Sequence, residues 1–534
     1  MDELCRRHRL LVDDQGIVRV PFLVKGRLIA PPEIDRAELE VAFAGQPPKA
    51  AYARVREAQV VRQRVIDRAT LRYTSDYLYQ VMPRVDPREL IETDIDKLAR
   101  GLYALPVSET FRYLESVSRT LEKNAAVIEG IRELFRRTSE LPDLYLDGDF
   151  AALASGLSLS LAESLIDNEL SIWHVPGRRF LEGWVEVPAD IIPGLVPLLA
   201  LSLPGGSSAL PAPSAKACLR AMPTRQLHIA AGNVPEIPIV SAMRMALTKS
   251  AGVVKCPAEA ALPGALLAVA AVAAEPDHPF TQNLSIVYWP GGDESVENEL
   301  FTPGAFDRIA VWGSPETIQS VQSRAAFTKT LYFNPRYGVS LIGQEVFAGD
   351  LEPVVFAAAM DVMIYNQQAC TASHVQYVEG TQEQVRGYAE RLVATLNQWD
   401  QLAPPFIPPA TRGRLKQLRR GKYARAQWLT NTQGEEFTSG VVVMPGEFDI
   451  LEHPMCRLAV IRQVESLSAA LPYLHAGVSM AGVYPEERRL ALRDLIAARG
   501  VSSVLPLGQC GSVFAGMPHD GMMVLSQLVD WKVA

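Results

Sequence analysis

Cys370 is the residue in this sequence best placed to act as a nucleophile. It ends the polar segment Asn366-Gln367-Gln368-Ala369-Cys370, which separates the apolar run 353–365 from the alternating pattern of residues 374–378. The run is typical of a buried helix and the alternation is typical of a strand. The cysteine is therefore predicted in a loop fixed by two rigid elements, where reactive groups tend to be placed. The alternative is a small buried apolar side chain.

Further polar groups follow predicted strands. Asn233 comes after the strand QLHIAA, Lys255 ends GVVK, and Gly313-Ser314 lies between the strand FDRIAVW and a helix. An amide can stabilise an oxyanion, and free N–H groups at a helix N-terminus suit an anion. The alternatives are a turn asparagine and an ordinary helix cap. No G-x-G-x-x-G fingerprint follows the first strand.

The elements that must position these groups alternate between strands and helices. Strand and helix patterns alternate over residues 226–312 and again from about 336 to 508, where RLAVIRQV (457–464) is a further strand. Such alternation requires parallel sheets covered by helices on both faces. We predict an α/β protein, and the first run favours a nucleotide-binding architecture.

The helix, Asn-Gln-x-x-Cys and strand succession, with Asn233, Pro235 and Lys255, resembles the aldehyde dehydrogenase superfamily. Within it, the sequence is most similar to the acyl-thioester reductase branch, typified by the fatty acid reductase of bacterial bioluminescence. The similarity runs from about Arg220 to the C-terminus. It implies a Rossmann-type nucleotide-binding domain, an α/β catalytic domain and a β-arm for oligomerisation.

The resemblance also implies roles for individual residues. Asn233 would donate to the oxyanion, Lys255 would reach the adenosine ribose, Gly313-Ser314 would contact the pyrophosphate, and Glu452 would hold the nicotinamide ribose. The family's ribose-binding Glu lies three residues after the Lys, whereas Glu259 lies four after Lys255. This departure leaves room for a ribose 2′-phosphate, so we expect NADPH as cofactor, with NADH possible.

A missing carboxylate indicates the direction of the reaction. Hydrolytic relatives carry a Glu some thirty residues before the nucleophile, whereas the corresponding stretch here, Leu331–Gly338, contains no carboxylate. An acyl-cysteine without a general base nearby should persist for a thiol or a hydride. His374, four residues after Cys370, is expected to be a structural histidine because it lies on the following strand.

Composition limits the partners and the compartment. A net charge of −8 gives no basic field for nucleic acid, and six cysteines without a C-x-x-C pair suggest neither a zinc site nor a disulfide framework. The segment 191–204 is too short and too interrupted by proline to span a bilayer. We expect a cytoplasmic protein with no membrane span and no metal, and by resemblance a homo-oligomer.

A chain of 534 residues should divide into domains. We predict an N-terminal hairpin (17–31) and helices over 1–170, with 53–68 as a helix. Residues 171–335 would form the NAD(P)-binding domain, with strands at 179–188 and oligomerisation strands near 179–214. Residues 336–508 would form the catalytic domain. Residues 509–534 would supply a final strand near 522–531, after the turn 518–521, which has no assigned role.

These features predict an NAD(P)H-dependent reductase of acyl thioesters. Cys370 would attack an acyl-CoA or an acyl chain on a carrier protein, and hydride would then release an aldehyde. Two alternatives stay open. An enzyme of the same fold could oxidise an aldehyde to a thioester, or the chain could be a catalytically idle docking scaffold for a carrier protein.

Overall fold

The computed structural model describes residues 1–46, 51–188, 216–232, 234–433, 436–512 and 514–534. The apolar segment 191–204 and residues 189–214 of the predicted oligomerisation region lie outside these ranges. In the described part, no single helix is long and apolar enough to cross a membrane; one sharply bent helix pair, residues 143–170, would pass by length and composition alone.

The N-terminal region contains a five-stranded sheet, which the sequence did not predict. The elements up to Pro83 are α1 (Asp2–His8), β1 (Asp13–Asp14), β2 (Ile17–Arg19), β3 (Phe22–Val24), β4 (Arg27–Ile29), α2 (Arg36–Ala42), β5 (Ala51–Val55), β6 (Ala58–Asp67) and β7 (Arg72–Pro83). The sheet order is β1-β2-β7-β6-β5. The predicted hairpin is confirmed, because β3 and β4 pair across the turn at Lys25-Gly26.

The helix predicted over residues 53–68 is wrong. That stretch forms β5 and β6, and β6 pairs antiparallel with β7. Residues 58–63 are all buried, so both faces of the strand are covered and the simple alternation of a surface strand is missing. The charged side chains that suggested a solvated helix are also covered, since the guanidinium of Arg62 lies 4.8 Å from the Phe43 ring centroid and 4.4 Å from that of Tyr77.

Helices follow this sheet. They are α3 (Ile95–Arg100), α4 (Val107–Glu122), α5 (Ala125–Arg136), α6 (Asp143–Ala152), α7 (Leu159–Leu170) and α8 (Gly177–Glu182). Residues 179–188 were predicted as strands, but only β8 (Val185–Pro188) is one, because the first part completes α8. Apolar side chains of α4 to α8 share one core with the sheet that follows.

The second sheet has the architecture predicted for residues 226–312. Its elements are β10 (Arg225–Ile229), α9 (Ile237–Leu247), β11 (Ala251–Lys255), α10 (Ala261–Ala274), β12 (Leu284–Val287), α11 (Glu294–Leu300), β13 (Arg308–Trp312), α12 (Pro315–Arg324) and β14 (Lys329–Phe333), preceded by β9 (Lys216–Met222). The order is β14-β13-β10-β11-β12-β3-β4, with β10 to β14 parallel. The order reverses at β10, and ligands of such sheets bind at this switch point.

The third sheet includes the strand that follows Cys370, the predicted nucleophile. Its elements are β15 (Tyr337–Ile342), α13 (Leu351–Met363), β16 (Ser373–Glu379), α14 (Gln382–Leu402), α15 (Pro409–Arg420), β17 (Gln427–Gln433), β18 (Glu436–Met444), β19 (Leu458–Val464), α16 (Leu467–Ala470), β20 (Val478–Tyr484), α17 (Glu486–Ala497) and β21 (Ser503–Pro506). The order is β17-β18-β19-β16-β15-β20-β21, and a core covers each face. The predicted helix and strand around Cys370 are confirmed as α13 and β16.

The C-terminus joins a separate three-stranded sheet. Residues 522–531 were predicted as one strand, but they contain α18 (Val524–Leu528) and only the start of β22 (Asp530–Val533). Strand β22 pairs antiparallel with β9, which pairs with β8. Trp531 packs edge-on against Phe180, with ring centroids 5.4 Å apart. The chain end therefore returns to the region that precedes the second sheet.

A buried ion pair stabilises the third sheet. Arg457, directly before β19, is fully buried, and its Nη1 lies 2.6 Å from Oδ1 of Asp400 on α14. The Nε and Nη2 atoms of Arg457 have no hydrogen-bond partner among the described residues. The carboxylate of Asp400 is therefore the main group that balances the buried positive charge of Arg457.

Removing that carboxylate should be costly. Asp400→Ala leaves the Arg457 charge buried and unpaired, and we expect a loss of about 3–5 kcal/mol in unfolding free energy. Glu390→Ala is the matched control, because Glu390 is on the same helix but pairs with the exposed Arg386; its loss should stay under about 1 kcal/mol. Urea unfolding followed by circular dichroism measures both, and equal losses would contradict this account.

Candidate active site

Three consecutive residues of the nucleophile loop have left-handed backbone. The φ angles of Tyr365, Asn366 and Gln367 are 46°, 57° and 63°, directly after helix α13. Left-handed conformations cost non-glycine residues roughly 1–3 kcal/mol each and persist only where surrounding contacts impose them. The turn that presents Cys370 is therefore a strained segment that its neighbours must hold.

The amide side chains of this turn are fixed inside the protein. The Gln367 Nε2 donates to the carbonyls of Ser373 and Leu458, both at 2.9 Å, and its Oε1 accepts from the Leu458 N–H at 2.8 Å. The Asn366 Nδ2 donates to the Phe406 carbonyl at 3.5 Å. Both side chains are fully buried. Gln367 thus ties the loop to β16 and β19, which explains why amides follow α13.

Tyr365 connects the turn to two carboxylates that were not singled out from the sequence. Its hydroxyl lies 2.5 Å from Oδ1 of Asp149 and 3.2 Å from Oε1 of Glu236. Its ring stacks on Tyr145, with centroids 5.4 Å apart. Burial and the nearby Glu236 raise the pKa of Asp149 to about 7, and burial also raises the pKa of Glu236.

Cys370 is partly exposed and lies at the end of this turn. Its carbonyl accepts a hydrogen bond from the Ser479 hydroxyl. Burial, and then the charge of Asp520, raise the pKa of the thiol to about 11, and Arg336 opposes this shift. At neutral pH the thiol of this state is protonated, so attack on a carbonyl requires loss of its proton.

The C-terminal turn 518–521, which had no predicted role, lies close enough to Cys370 for the charge of Asp520 to raise the pKa of the thiol. Asp520 is almost fully buried and pairs with Arg336 at 3.4 Å. His519 packs edge-on against Phe333, with centroids 4.8 Å apart, and Phe333 stacks on Trp312 at 4.2 Å.

The stretch without a carboxylate, residues 331–338, connects β14 to β15. Phe333 is buried in the stack just described, and Tyr337 begins β15, where its hydroxyl lies 3.1 Å from Nε2 of His475. Asp520 therefore brings a carboxylate near the thiol from a distant part of the sequence. Burial raises the pKa of Asp520, and its ion pair with Arg336 opposes that shift.

The predicted cofactor residues occupy the ends of β10 and β11. Asn233 lies outside the described residues. A Cβ atom on Gly232 would lie 3.1 Å from the Glu259 Oε2, so the Glu259 carboxylate lies over Gly232. Lys255 ends β11, with its Nζ 5.8 Å from the Tyr288 ring centroid, and burial lowers its pKa.

The two remaining predicted cofactor contacts, Gly313-Ser314 and Glu452, differ in their surroundings. Gly313 precedes Ser314, whose side chain caps α12 by accepting from the Thr317 N–H at 3.4 Å. A Cβ on Gly313 would approach the Thr317 side chain to 2.9 Å, so a larger residue there would have to displace it. The Glu452 carboxylate accepts a hydrogen bond from the Tyr423 hydroxyl at 3.0 Å and forms an ion pair with the Lys422 Nζ at 3.1 Å.

A cleft of about 370 Å³ brings four regions of the chain together. Gly232 and Glu259 come from the second sheet, and Gln368 comes from the nucleophile loop. The remaining wall includes Gln63, Arg64, Tyr73 and Glu140 of the N-terminal region and residues 408–410. The cleft therefore reaches from the carboxyl ends of β10 and β11 to within two residues of Cys370.

Comparison with known families identifies the chain. The profile described as "Acyl-CoA reductase (LuxC)" matches residues 214–531, more than half of the 534 residues. The chain belongs to the LuxC family. The match contains Cys370, the C-terminal turn, the third sheet and strands β10 to β14 of the second sheet. The N-terminal five-stranded sheet and strands β3 and β4 lie outside it.

Curated relatives of this LuxC-family chain are named long-chain acyl-protein thioester reductases. The relative from Photorhabdus laumondii is 26% identical over 333 residues, which cover 60% of this chain and 65% of the relative. The relative from Vibrio harveyi is 25% identical over 322 residues, or 59% and 65% of the two chains. The matched part of the chain thus spans 65% of the length of each of these relatives, which is less than two thirds.

Solved structures confirm the predicted aldehyde dehydrogenase-like α/β fold of this LuxC-family chain. Aldehyde dehydrogenase 21 from Physcomitrella patens superposes with a TM-score of 0.68 at 12% identity, covering 96% of this chain and 97% of that one. An NADP-dependent glyceraldehyde-3-phosphate dehydrogenase from Bacillus halodurans, complexed with NADP, gives 0.65 at 15% identity, with 96% and 98% covered. At these identities the likeness concerns the fold alone.

His374 has the surroundings of a structural residue. It is buried on β16, its Nδ1–H donates to the Ala372 carbonyl at 2.8 Å, and its ring contacts His453 edge-on at 4.4 Å. Burial lowers the pKa of His374 to about 4, so the ring is neutral at pH 7. The Nδ1–H of His374 already donates to a backbone carbonyl, as expected for a structural histidine.

The raised pKa of Asp149 predicts a pH dependence of stability. The folded protein binds a proton at Asp149 more tightly than the unfolded chain does, so this residue's contribution to stability falls as pH rises from about 4 to about 7. Asp149→Asn keeps the acceptor for Tyr365 but cannot ionise. We expect it to gain about 1–3 kcal/mol over wild type between pH 5 and pH 8. Urea unfolding at both pH values measures this, and identical pH slopes would contradict it.

Proposed function

We propose that this protein reduces an acyl thioester to an aldehyde through an acyl-cysteine on Cys370, with a nicotinamide cofactor. The observation that supports this most is the nucleophile turn of a LuxC-family chain opening onto the cleft at the ends of β10 and β11. The names of the curated relatives describe the same chemistry on long-chain acyl proteins. The thiol, the cleft and the sheet switch point are the parts such a reaction requires.

The first half of the reaction needs only groups of this chain. The Cys370 thiol loses its proton, its sulfur bonds to the thioester carbon, and the bond from that carbon to the pantetheine sulfur breaks. The departing thiolate takes up a proton, so the exchange conserves charge and oxidation state. We assign the oxyanion contact to Asn233 and the Cys370 backbone N–H, because donors placed where charge develops lower the barrier most.

The residues around the cleft fit a dinucleotide. Gly232 lies against the Glu259 carboxylate, Gly313 lies against the Thr317 side chain, and Ser314 is the N-cap of helix α12, whose N-terminal end favours an anion. We assign Lys255, Gly313, Ser314 and Glu259 to its binding. When bound, the cofactor supplies the hydride that converts the acyl-cysteine to the aldehyde. Glu452 could join them only by releasing Lys422 and Tyr423.

For the cofactor we propose NADPH in preference to NADH. The one-residue displacement of Glu259 does not remove its carboxylate from the cleft, since it lies over Gly232. Two cations counter the negative charge of this carboxylate. One is Lys255, at the end of β11. The other is Arg64, which lines the same cleft and has no ion-pair partner among the described residues. A 2′-phosphate would bind to such cations by charge-assisted hydrogen bonds.

The direction of the reaction rests on the residues that could activate water. Segment 331–338 offers no carboxylate, and Asp520 is engaged by Arg336. The acyl-cysteine should therefore resist hydrolysis, which favours reduction of a thioester over formation of an acid. Oxidation of an aldehyde to a thioester on the same fold is the reverse reaction and uses the same groups. If the chain were only a catalytically idle docking scaffold, the strained turn at Cys370 would have no function.

We further propose a cytoplasmic homo-oligomer that accepts acyl-CoA or an acyl carrier protein. The three-stranded sheet of β8, β9 and β22 has the place expected for an oligomerisation arm, because it is formed by strands that flank the second sheet and the chain end. Edge strands of such a sheet can pair with another chain. Light scattering of the purified protein tests the oligomeric state.

The nucleophile can be tested by substitution. Cys370→Ala should abolish NADPH-dependent aldehyde formation from an acyl-CoA because no sulfur remains to accept the acyl group, while thermal stability stays near that of wild type. Cys218→Ala is the matched control, since Cys218 is the other cysteine that is not fully buried; it should retain activity. Full activity of Cys370→Ala would overturn the mechanism.

Cofactor choice can be tested by binding. Lys255→Ala should weaken NADPH binding by roughly ten- to hundredfold, as expected for a lost hydrogen bond to a charged group, and NADH binding by less. The control is Lys329→Ala, because Lys329 is exposed at the start of β14, the opposite end of the strands. Isothermal titration calorimetry measures both cofactors. Wild-type protein that binds NADH as tightly as NADPH would refute the preference.

A further inference from the structure

A strongly basic surface surrounds helix α15. Residues 401–434 contain seven lysine and arginine residues and no aspartate or glutamate, although the chain as a whole has a net charge of −8. Of the seven, Arg412 is half-buried and Lys422 pairs with Asp449 and Glu452. The other five are exposed and pair with no carboxylate among the described residues; they form the basic patch, which consists of Arg414, Lys416, Arg419, Arg420 and Arg425.

Helix α15 holds the patch in a fixed place. Its Leu415 and Leu418 are buried in one core of the third sheet. Lys416 and Arg420 are exposed and lie four residues apart, so they share one face of the helix. The apolar side of this amphipathic helix is therefore packed against the protein and its basic side faces solvent.

An exposed apolar side chain lies beside these cations. The Arg414 Nη2 donates to the Leu451 carbonyl at 2.8 Å, which places the segment before β19 against α15. The Leu451 side chain is 85% exposed. The surface thus combines several positive charges with an apolar group that no described residue covers.

The basic surface also adjoins the cleft. Residues 408–410, at the start of α15, form part of the cleft wall opposite Gly232 and Gln368. Two residues earlier, the Phe406 carbonyl accepts from the Asn366 Nδ2 in the nucleophile turn at 3.5 Å. A surface that binds α15 would therefore lie next to the cleft.

We propose that α15 binds the surface of a membrane that contains anionic lipids, with the basic patch against the headgroup phosphates and Leu451 in the interfacial layer. Clusters of four to eight lysine and arginine residues on an amphipathic helix are typical of segments that bind anionic lipids. An exposed apolar side chain strengthens such binding by entering the interface. Protein partners are instead usually anchored by aromatic side chains, and Tyr423, the one aromatic residue between 411 and 425, is buried.

Membrane binding by α15 goes beyond the proposed function and does not depend on it. The excess of acidic residues elsewhere in the chain would be repelled by an anionic bilayer, so the patch would also orient the protein. In that orientation the cleft wall at residues 408–410 lies near the lipid. An aldehyde with an apolar chain, the product of the proposed reaction, would then be released beside the bilayer.

Co-sedimentation with vesicles tests the proposal. The full chain is mixed with vesicles of phosphatidylcholine alone, or of an equal mixture with phosphatidylglycerol, without substrate or cofactor, so that the readout does not depend on catalysis. Wild type should bind the mixed vesicles, should be released by added salt, and should bind phosphatidylcholine far more weakly. Lys416→Gln combined with Arg420→Gln should weaken binding about 25-fold, because each basic residue near an anionic surface strengthens it about fivefold.

The matched control is Arg7→Gln combined with Lys123→Gln. Both residues are exposed in the N-terminal region, neither pairs with a carboxylate among the described residues, and the change in net charge is the same. This variant should bind like wild type. Equal weakening in the two double variants, or no binding of wild type to the mixed vesicles, would overturn the proposal. Binding of an acidic acyl carrier protein through the patch, without binding of vesicles, would also overturn it and would assign the patch to a protein partner.

Discussion

The strained turn at Tyr365, Asn366 and Gln367 is the constraint on which the site depends. Three left-handed residues in succession are unfavourable by themselves, so the surrounding structure must supply the compensation. Gln367 bonds to β16 and β19, and Tyr365 bonds to carboxylates of α6 and of the segment before α9. The position of Cys370 is thus determined jointly by the N-terminal helices, the second sheet and the third sheet.

A second left-handed run faces the first. Met455, Cys456 and Arg457 have φ angles of 61°, 56° and 62°, and Leu458, the next residue, is the partner of Gln367. The buried pair of Arg457 with Asp400 holds this run from the other side. Strain concentrated at two facing turns is characteristic of functional sites.

The sequence predicted those parts whose pattern is local. The buried run before Cys370 and the alternation after it predicted α13 and β16, and strand-helix alternation predicted the second sheet. Residues 53–68 were misassigned because β6 is covered on both faces and its arginines stack on aromatic rings, which no periodicity reveals. Asp149, Tyr365 and Asp520 were missed because they come together from segments hundreds of residues apart, and such contacts are set by tertiary packing.

The central claim is that Cys370 holds an acyl group that water does not remove. The most direct measurement incubates the protein with an acyl-CoA in the absence of cofactor and digests it to locate the added mass. The account predicts a stable acyl group on the peptide that contains Cys370, without release of free acid over many turnover times. An unmodified Cys370, or rapid release of the acid, would contradict it.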